Sequence, residues 1–77
     1  MKTISVLINT IDKVRSFVTA VSAFPGEIDL KSGRYTVDAK SIMGIFSLDL
    51  SKPIELNIHG SSEESDILEA LKPYIVE

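Results

Sequence analysis

The sequence of 77 residues carries 8 Lys and Arg against 11 Asp and Glu, a net charge of −3, with one histidine and no cysteine. This length predicts a single small domain over residues 1–77, which must bury about 60% of its unfolded surface in one shared core. The lack of cysteine excludes disulfide, zinc-finger and iron–sulfur frameworks, so we expect neither a metal nor another cofactor, while the acidic balance disfavours nucleic acid or a membrane as partner.

The N-terminal part of the chain predicts a strand followed by a helix. Apolar and polar residues alternate over Thr3–Ile8, which indicates a strand with one buried face. Asn9 and Thr10 are both suitable N-cap residues for the helix that follows, and Pro25-Gly26 end it. Its apolar residues recur at intervals of three and four and form the predicted buried stripe: Ile11, Val14, Phe17, Val18, Val21 and Phe24.

The next segment has the pattern of a β-hairpin. Apolar and polar residues alternate over residues 27–31 and again over residues 34–38. The Ser32-Gly33 pair between the two runs is typical of a tight turn. We therefore expect two short antiparallel strands.

A short helical pattern follows the hairpin. Either Asp38 or Ser41 can provide its N-cap. Gly44 inside the helix costs about 1 kcal/mol relative to alanine, so tertiary contacts must stabilise this helix. Three apolar residues lie close together on one face: Ile42, Ile45 and Phe46.

The C-terminal part predicts a fourth strand and a last helix. Apolar and polar residues alternate over residues 54–59, and Ser61 with Glu64 has the spacing of a capping box. Pro73 removes a helical hydrogen bond and ends this helix near Lys72. The expected buried stripe is Ile67, Leu68, Leu71 and Ile75.

The predicted order of elements is therefore βαββαβα. A helix that connects the first two strands makes them parallel, and a remaining strand pairs between them or at an edge. Because every strand has one apolar face, we predict an α+β fold in which helices cover one side of a single sheet, an open-faced sandwich.

The segment Lys40–Leu48 closely resembles the region around the regulatory serine of Gram-positive HPr, the small phosphocarrier of the bacterial sugar phosphotransferase system. The order of elements supports the resemblance along nearly the whole chain. It implies a four-stranded antiparallel sheet in the order 1-4-2-3 with three helices on one face. It also implies a cytoplasmic bacterial protein that is not an enzyme and that acts with protein partners.

The family's phosphocarrier motif, Gly-x-His-x-Arg-Pro, lies at the start of the first helix. Counting back from Ser41 without gaps places Thr10 on the histidine, Asp12 on the arginine and Lys13 on the proline. An aspartate at the arginine position repels an incoming phosphoryl group, whereas the family mechanism needs a histidine nucleophile and positive donors. His59 lies at the end of the fourth strand, which the implied sheet places away from this helix start. We therefore expect no catalytic residue and no histidine phosphocarrier activity.

Ser41 retains the family's residue. In Gram-positive members the matching serine is phosphorylated by HPr kinase, and the phosphorylated protein binds a transcriptional regulator. The resemblance implies that Ser41 is a candidate regulatory phosphorylation site beside a partner surface of Ile42, Met43 and Phe46. The alternative is that Ser41 only caps the helix, while Ile42 and Phe46 only fill the core.

Three functions remain open at this stage. The first is an HPr-like binding or regulatory protein without histidine phosphocarrier activity. The second is an atypical phosphocarrier of sugar transport that uses Thr10 or His59. The third is a small α+β module that binds another molecule and shares only the fold with HPr.

Overall fold

A computed structural model describes residues 2–59 and 64–76. Its elements follow the predicted order: β1 (Lys2–Val6), α1 (Ile11–Ser22), β2 (Glu27–Ser32), β3 (Tyr35–Asp38), α2 (Ile42–Phe46), β4 (Ile54–His59), α3 (Glu64–Ala70) and a 3-10 helix (Lys72–Tyr74).

The four strands form one antiparallel sheet in the order β1-β4-β2-β3. Lys2 lies opposite Ile58 and Val6 opposite Ile54, while the other side of β4 pairs with β2. Because β1 and β2 both run antiparallel to β4, they are parallel to each other, with β4 in the gap. The predicted open-faced sandwich is confirmed.

The core lies between the sheet and the helices. Alternate residues of β2 and β4 point towards the helices and are almost completely buried. The ring of Phe17 in α1 packs edge-on against Tyr74, with 5.9 Å between ring centroids. Burying each such side chain contributes about 1.5–3 kcal/mol to the free energy of unfolding. The fully buried members include Val14, Phe17, Val21, Ile28, Leu30, Ile45, Ile54, Leu56, Ile58, Ile67 and Leu71.

The first strand and first helix differ from the sequence prediction at their junction. β1 ends at Val6 rather than Ile8, although Ile8 is fully buried. α1 ends at Ser22, and Phe24 beyond it is partly buried. Ile11 was expected in the buried stripe, but its side chain is 60% exposed because burial along α1 begins only at Val14.

The hairpin turn is shifted by one residue from the prediction. Ser32 pairs with Tyr35, so the turn residues are Gly33 and Arg34. Gly33 has φ of 61°, and a positive φ at the first turn residue followed by a negative φ at the second is typical of a type II′ turn. Glycine adopts this conformation without steric cost.

The last helix runs over Glu64–Ala70 and contacts both α1 and the following 3-10 helix. The helix stops before Pro73, which lies in the 3-10 helix, in agreement with the prediction. Ile67 and Leu71 are buried, while Leu68 and Ile75 pack against the core with partial exposure. The predicted cap at Ser61 lies outside the described residues.

No helix in residues 2–59 and 64–76 has the length and apolar character needed to cross a membrane.

Candidate functional site

The start of α1 is capped by Thr10, one of the two predicted N-cap residues. Its backbone is extended, with φ of −136° and ψ of 158°. Its Oγ1 accepts a hydrogen bond from the backbone N of Lys13 at 3.1 Å. Asn9, the other predicted cap, instead accepts a hydrogen bond on Oδ1 from Lys13 Nζ at 3.3 Å. The Thr10 hydroxyl thus stabilises the first turn of the helix.

The first turn of α1 contains one acidic residue, Asp12, and one basic residue, Lys13. Asp12 lies in the first turn, where its carboxylate interacts favourably with the positive end of the helix dipole. Asp12 is exposed, so it faces the solvent from which a phosphoryl donor would approach. The same carboxylate that stabilises the helix therefore disfavours a phosphoryl group at this position.

The start of α2 is built in the same way around Ser41. The backbone of Ser41 is extended, with φ of −103° and ψ of 105°, and its Oγ accepts a hydrogen bond from Gly44 N at 3.2 Å. Asp38, the other candidate cap, accepts a hydrogen bond on Oδ1 from Lys40 N at 2.9 Å. The first turn of α2 contains no acidic residue. The two helix starts share a hydroxyl cap, but only α1 has an acidic residue in its first turn.

Gly44 gives α2 close contact with both its cap and the sheet. A Cβ atom at this position would lie 3.2 Å from Val37 Cβ and 3.3 Å from Ser41 Oγ. Both distances are shorter than ordinary van der Waals contacts, so a Cβ at position 44 requires the side chains of Val37 and Ser41 to shift by a few tenths of an ångström. The low helix propensity of glycine is offset here by close packing, as the sequence led us to expect.

The second helix also divides its apolar residues between the core and the solvent. Ile45 is fully buried and Ile42 is half-buried. Met43 is 78% exposed and Phe46 is 43% exposed, although each is large and apolar. Of the three residues predicted as a partner surface, Met43 and Phe46 are accessible and Ile42 is partly so.

Lys40 connects the end of α1 to the start of α2. Its Nζ donates hydrogen bonds to the backbone oxygens of Phe24 at 2.6 Å and Gly26 at 3.1 Å. Both oxygens belong to the segment that follows the C-cap of α1, Ala23. The ammonium group next to Ser41 in the sequence is therefore bound to backbone oxygens, a contact that residue patterns could not predict.

Asp49 follows α2 and carries a stable negative charge. Ser51 donates to Asp49 Oδ1 from its hydroxyl at 2.6 Å and from its backbone N at 3.1 Å. The hydroxyl hydrogen bond first, and then the backbone one, lower the pKa of Asp49, with a smaller contribution from Lys52. The chain therefore carries a carboxylate shortly after α2.

His59 lies on the open face of the sheet, away from the start of α1. Its Nε2 is 2.7 Å from Asp29 Oδ2, and the two side chains are 38% and 31% exposed. His59 pairs with Glu27 across the sheet, at the edge where β1 begins rather than where α1 begins. The His59–Asp29 pair joins residues 30 positions apart in the chain, so periodicity could not reveal it.

Within residues 2–59 and 64–76, no three histidine, aspartate or glutamate side chains are grouped so that they could hold a metal ion.

A family model described as the PTS HPr component phosphorylation site matches residues 13–77. The chain belongs to the HPr family. Members of this family are phosphocarriers rather than enzymes, and they interact with other proteins of the phosphotransferase system. The match begins after Thr10 and Asp12, the two residues that the ungapped count from Ser41 aligns with the histidine and arginine of the phosphocarrier motif.

Two solved HPr structures have the same fold. HPr-C-His from Thermoanaerobacter tengcongensis is 30% identical, with a TM-score of 0.79, over 95% of this chain and 89% of that one. The phosphocarrier protein HPr from Bacillus anthracis str. Ames is 30% identical, with a TM-score of 0.73, over 97% of this chain and 94% of that one. Both resemblances extend through the sheet and the helices.

Proposed function

We propose that this HPr-family protein is a cytoplasmic binding or regulatory protein of the phosphotransferase system that does not carry a phosphoryl group on histidine. The contrast between the two helix starts carries the proposal: the hydroxyl of Thr10 caps α1 beside Asp12, while that of Ser41 caps α2 with no acidic residue in its first turn. The chemistry at α1 disfavours a phosphate, and the chemistry at α2 accepts one.

Phosphocarrier chemistry at α1 lacks its nucleophile. A threonine hydroxyl needs an adjacent base before it can attack phosphorus. Asp12 is the nearest acidic residue in the sequence, and its position in the first turn is explained by the helix dipole. The family arginine, which would supply positive donors to the transferred oxygens, is replaced by this carboxylate.

Phosphorylation of Ser41 is compatible with the local structure. A phosphate on Oγ places its oxygens near the N-terminus of α2, where Gly44 N already donates to the serine oxygen at 3.2 Å. A dianion at this end of a helix is stabilised by the backbone donors and the helix dipole. The modification therefore replaces one cap with a more strongly charged one.

The partner surface consists of Met43, Phe46 and the exposed part of Ile42. Methionine adapts to different partner surfaces, and an exposed aromatic residue supplies a large contact area. Because Ser41 immediately precedes these residues, a phosphate on it would change the charge at the edge of the surface. We propose HPr kinase or a transcriptional regulator as partner.

Intact-mass measurement after two separate reactions tests the proposal. With enzyme I and phosphoenolpyruvate we expect no added mass. With HPr kinase and ATP we expect one phosphate, about 80 Da, that is stable to acid and maps to Ser41. Ser41→Ala must abolish this addition, whereas Ser47→Ala, at the C-cap of the same helix, must not.

Acid-labile phosphate in the first reaction would overturn the absence of histidine transfer. It would favour the atypical phosphocarrier, for which the contact between Asp29 and His59 Nε2 is the supporting observation, because a carboxylate can orient an imidazole for transfer. In that case His59→Ala must abolish the label. No phosphate in either reaction, together with binding of an unrelated ligand, would favour the third function, a module that shares only the fold.

A further inference from the structure

The two edges of the sheet differ in how their backbone is covered. The C-terminal segment lies along the outer edge of β1, where Leu7 N donates to Tyr74 O at 2.8 Å and Val76 N donates to Ser5 O at 3.0 Å. No segment within residues 2–59 and 64–76 pairs with the outer edge of β3. An uncovered edge strand is a template for pairing with another chain.

The register shows which backbone groups of β3 face outwards. Tyr35 closes the hairpin with Ser32, and Ala39 N donates to Ile28 O at 2.9 Å, so the odd-numbered positions bond to β2. The N–H and C=O groups of Thr36 therefore point away from the sheet. Thr36 lies near the middle of the open edge.

The residues of this edge complement one another in the reverse direction. When a second copy of β3 is laid antiparallel with Thr36 opposite Thr36, Tyr35 lies opposite Val37. Arg34, in the turn that immediately precedes β3, then comes next to Asp38 of the other copy. Each Thr36 then donates to and accepts from the other, as in a hydrogen-bonded antiparallel pair. We propose that β3 pairs with β3 of a second copy and joins the two four-stranded sheets across a twofold axis.

The charges around Asp38 favour a second copy of the chain as the partner of β3. Asp38 lies directly opposite Asp29 in the sheet, and like charges at opposed positions are unfavourable. In the paired arrangement, Arg34 of the second copy lies beside Asp38 and offsets this repulsion. The twofold axis forms the charge pair twice, whereas a strand of another sequence would satisfy the backbone and leave Arg34 and Asp38 unmatched.

Apolar side chains on the opposite face of β3 from Asp38 also favour a second copy as the partner. Tyr35 is 70% exposed although its neighbour Val37 packs partly against the core. Pairing sets Tyr35 of each copy against Val37 of the other, and an aromatic residue beside a β-branched one is a favourable cross-strand pair. Since one strand pair buries a small area, we expect a weak dimer with a dissociation constant between about 10 µM and 1 mM.

Sedimentation velocity over a range of concentrations up to about 1 mM tests the dimer. The unmodified protein should pass from monomer to dimer with increasing concentration. Arg34→Asp and Asp38→Lys should each weaken the association at least tenfold, because each places like charges opposite one another. The matched control is Lys2→Asp on the far edge of the sheet, which changes the net charge as Arg34→Asp does and should leave the association unchanged.

An equimolar mixture of the Arg34→Asp and Asp38→Lys variants provides the decisive comparison. Opposite charges then face each other at both pairs, so the mixture should recover the association that each variant lost. Since Asp38 also caps Lys40 N, circular dichroism must show both variants folded. Thr36→Pro removes only an outward N–H and should abolish the dimer without disrupting the pairing with β2.

A protein that stays monomeric up to about 1 mM would overturn the proposal. So would a dimer unaffected by Arg34→Asp and Thr36→Pro, or a mixture of the charge variants that recovers no association.

Discussion

The starts of α1 and α2 have the same kind of hydroxyl N-cap but differ in the acidic residues around it. In each, a hydroxyl oxygen accepts a hydrogen bond from the backbone N three residues ahead, at 3.1 Å for Thr10 and 3.2 Å for Ser41. Asp12 stands in the first turn of α1, and no acidic residue stands in that of α2. A cap alone therefore does not indicate a phosphorylation site, because an acidic residue in the first turn disfavours an added phosphate.

The largest expected effect is a gain of activity at α1. The triple variant Thr10→His, Asp12→Arg and Lys13→Pro restores the three family positions and should accept acid-labile phosphate from enzyme I and phosphoenolpyruvate, measured by intact mass. Proline is tolerated in the first turn of a helix. Thr10→His alone retains the carboxylate of Asp12, so its phosphorylation should be about 100-fold slower. Equal phosphorylation rates for Thr10→His and the triple variant would show that the carboxylate of Asp12 does not impede phosphorylation at the start of α1.

A second prediction separates the buried and exposed residues of α2. Ile45→Ala should lower the free energy of unfolding by about 2–5 kcal/mol because it removes fully buried methyl groups. Met43→Ala, two positions earlier and 78% exposed, should change it by less than about 0.5 kcal/mol while weakening partner binding. Urea denaturation measures the first quantity, and titration with HPr kinase the second. A large loss of stability from Met43→Ala would place this side chain in the core.

A third prediction concerns the caps themselves. Ser41→Ala and Thr10→Ala should each lower the free energy of unfolding by about 1 kcal/mol, because each leaves a backbone N–H at a helix start without its acceptor. Ser41→Asp restores an acceptor and adds a negative charge at the end of α2, so it should recover most of the loss. Chemical denaturation measures all three. Failure of Ser41→Asp to recover stability would argue against a phosphate at this position.

The smallest expected effect is on the titration of Asp49. Its pKa is lowered in the folded protein, so its contribution to stability is present above the unfolded pKa and is lost as the pH falls through the folded value. Titration of its carboxyl carbon by NMR should give a midpoint below that of an unstructured peptide. Ser51→Ala removes the hydroxyl donor and should raise this midpoint. An unchanged midpoint would contradict the assignment of the shift to Ser51.

Local patterns predicted the elements and both caps because these depend on neighbours in the sequence. N-cap preference left two candidates at each helix start, of which the structure selects Thr10 and Ser41, and the strands follow from alternation. The strand order came from the resemblance to HPr, since alternation specifies faces but not neighbours. The phosphocarrier departure at Thr10 and Asp12 was likewise visible only by comparison with the family motif.

Features that depend on contacts between different elements could not be predicted from the sequence. Periodicity assigned Ile11 to the core, but burial along α1 begins one turn later, at Val14. Alternation assigned Asn57 to the solvent side, yet it is only 9% exposed, because it lies in a central strand and accepts a hydrogen bond from Thr3 at 2.7 Å. The contact between His59 and Asp29 likewise requires the pairing of β2 with β4.

The position of β4 also determines when the fold can form during synthesis. β4 is central in the sheet but is the last strand to be made, and it pairs with both β1 and β2. Until β4 has left the ribosome, the pair of β2 and β3 is the only one of the three described strand pairs that can form, and β1 has no native neighbour. Closure of the sheet therefore depends on contacts between distant parts of the chain, which form slowly compared with local ones.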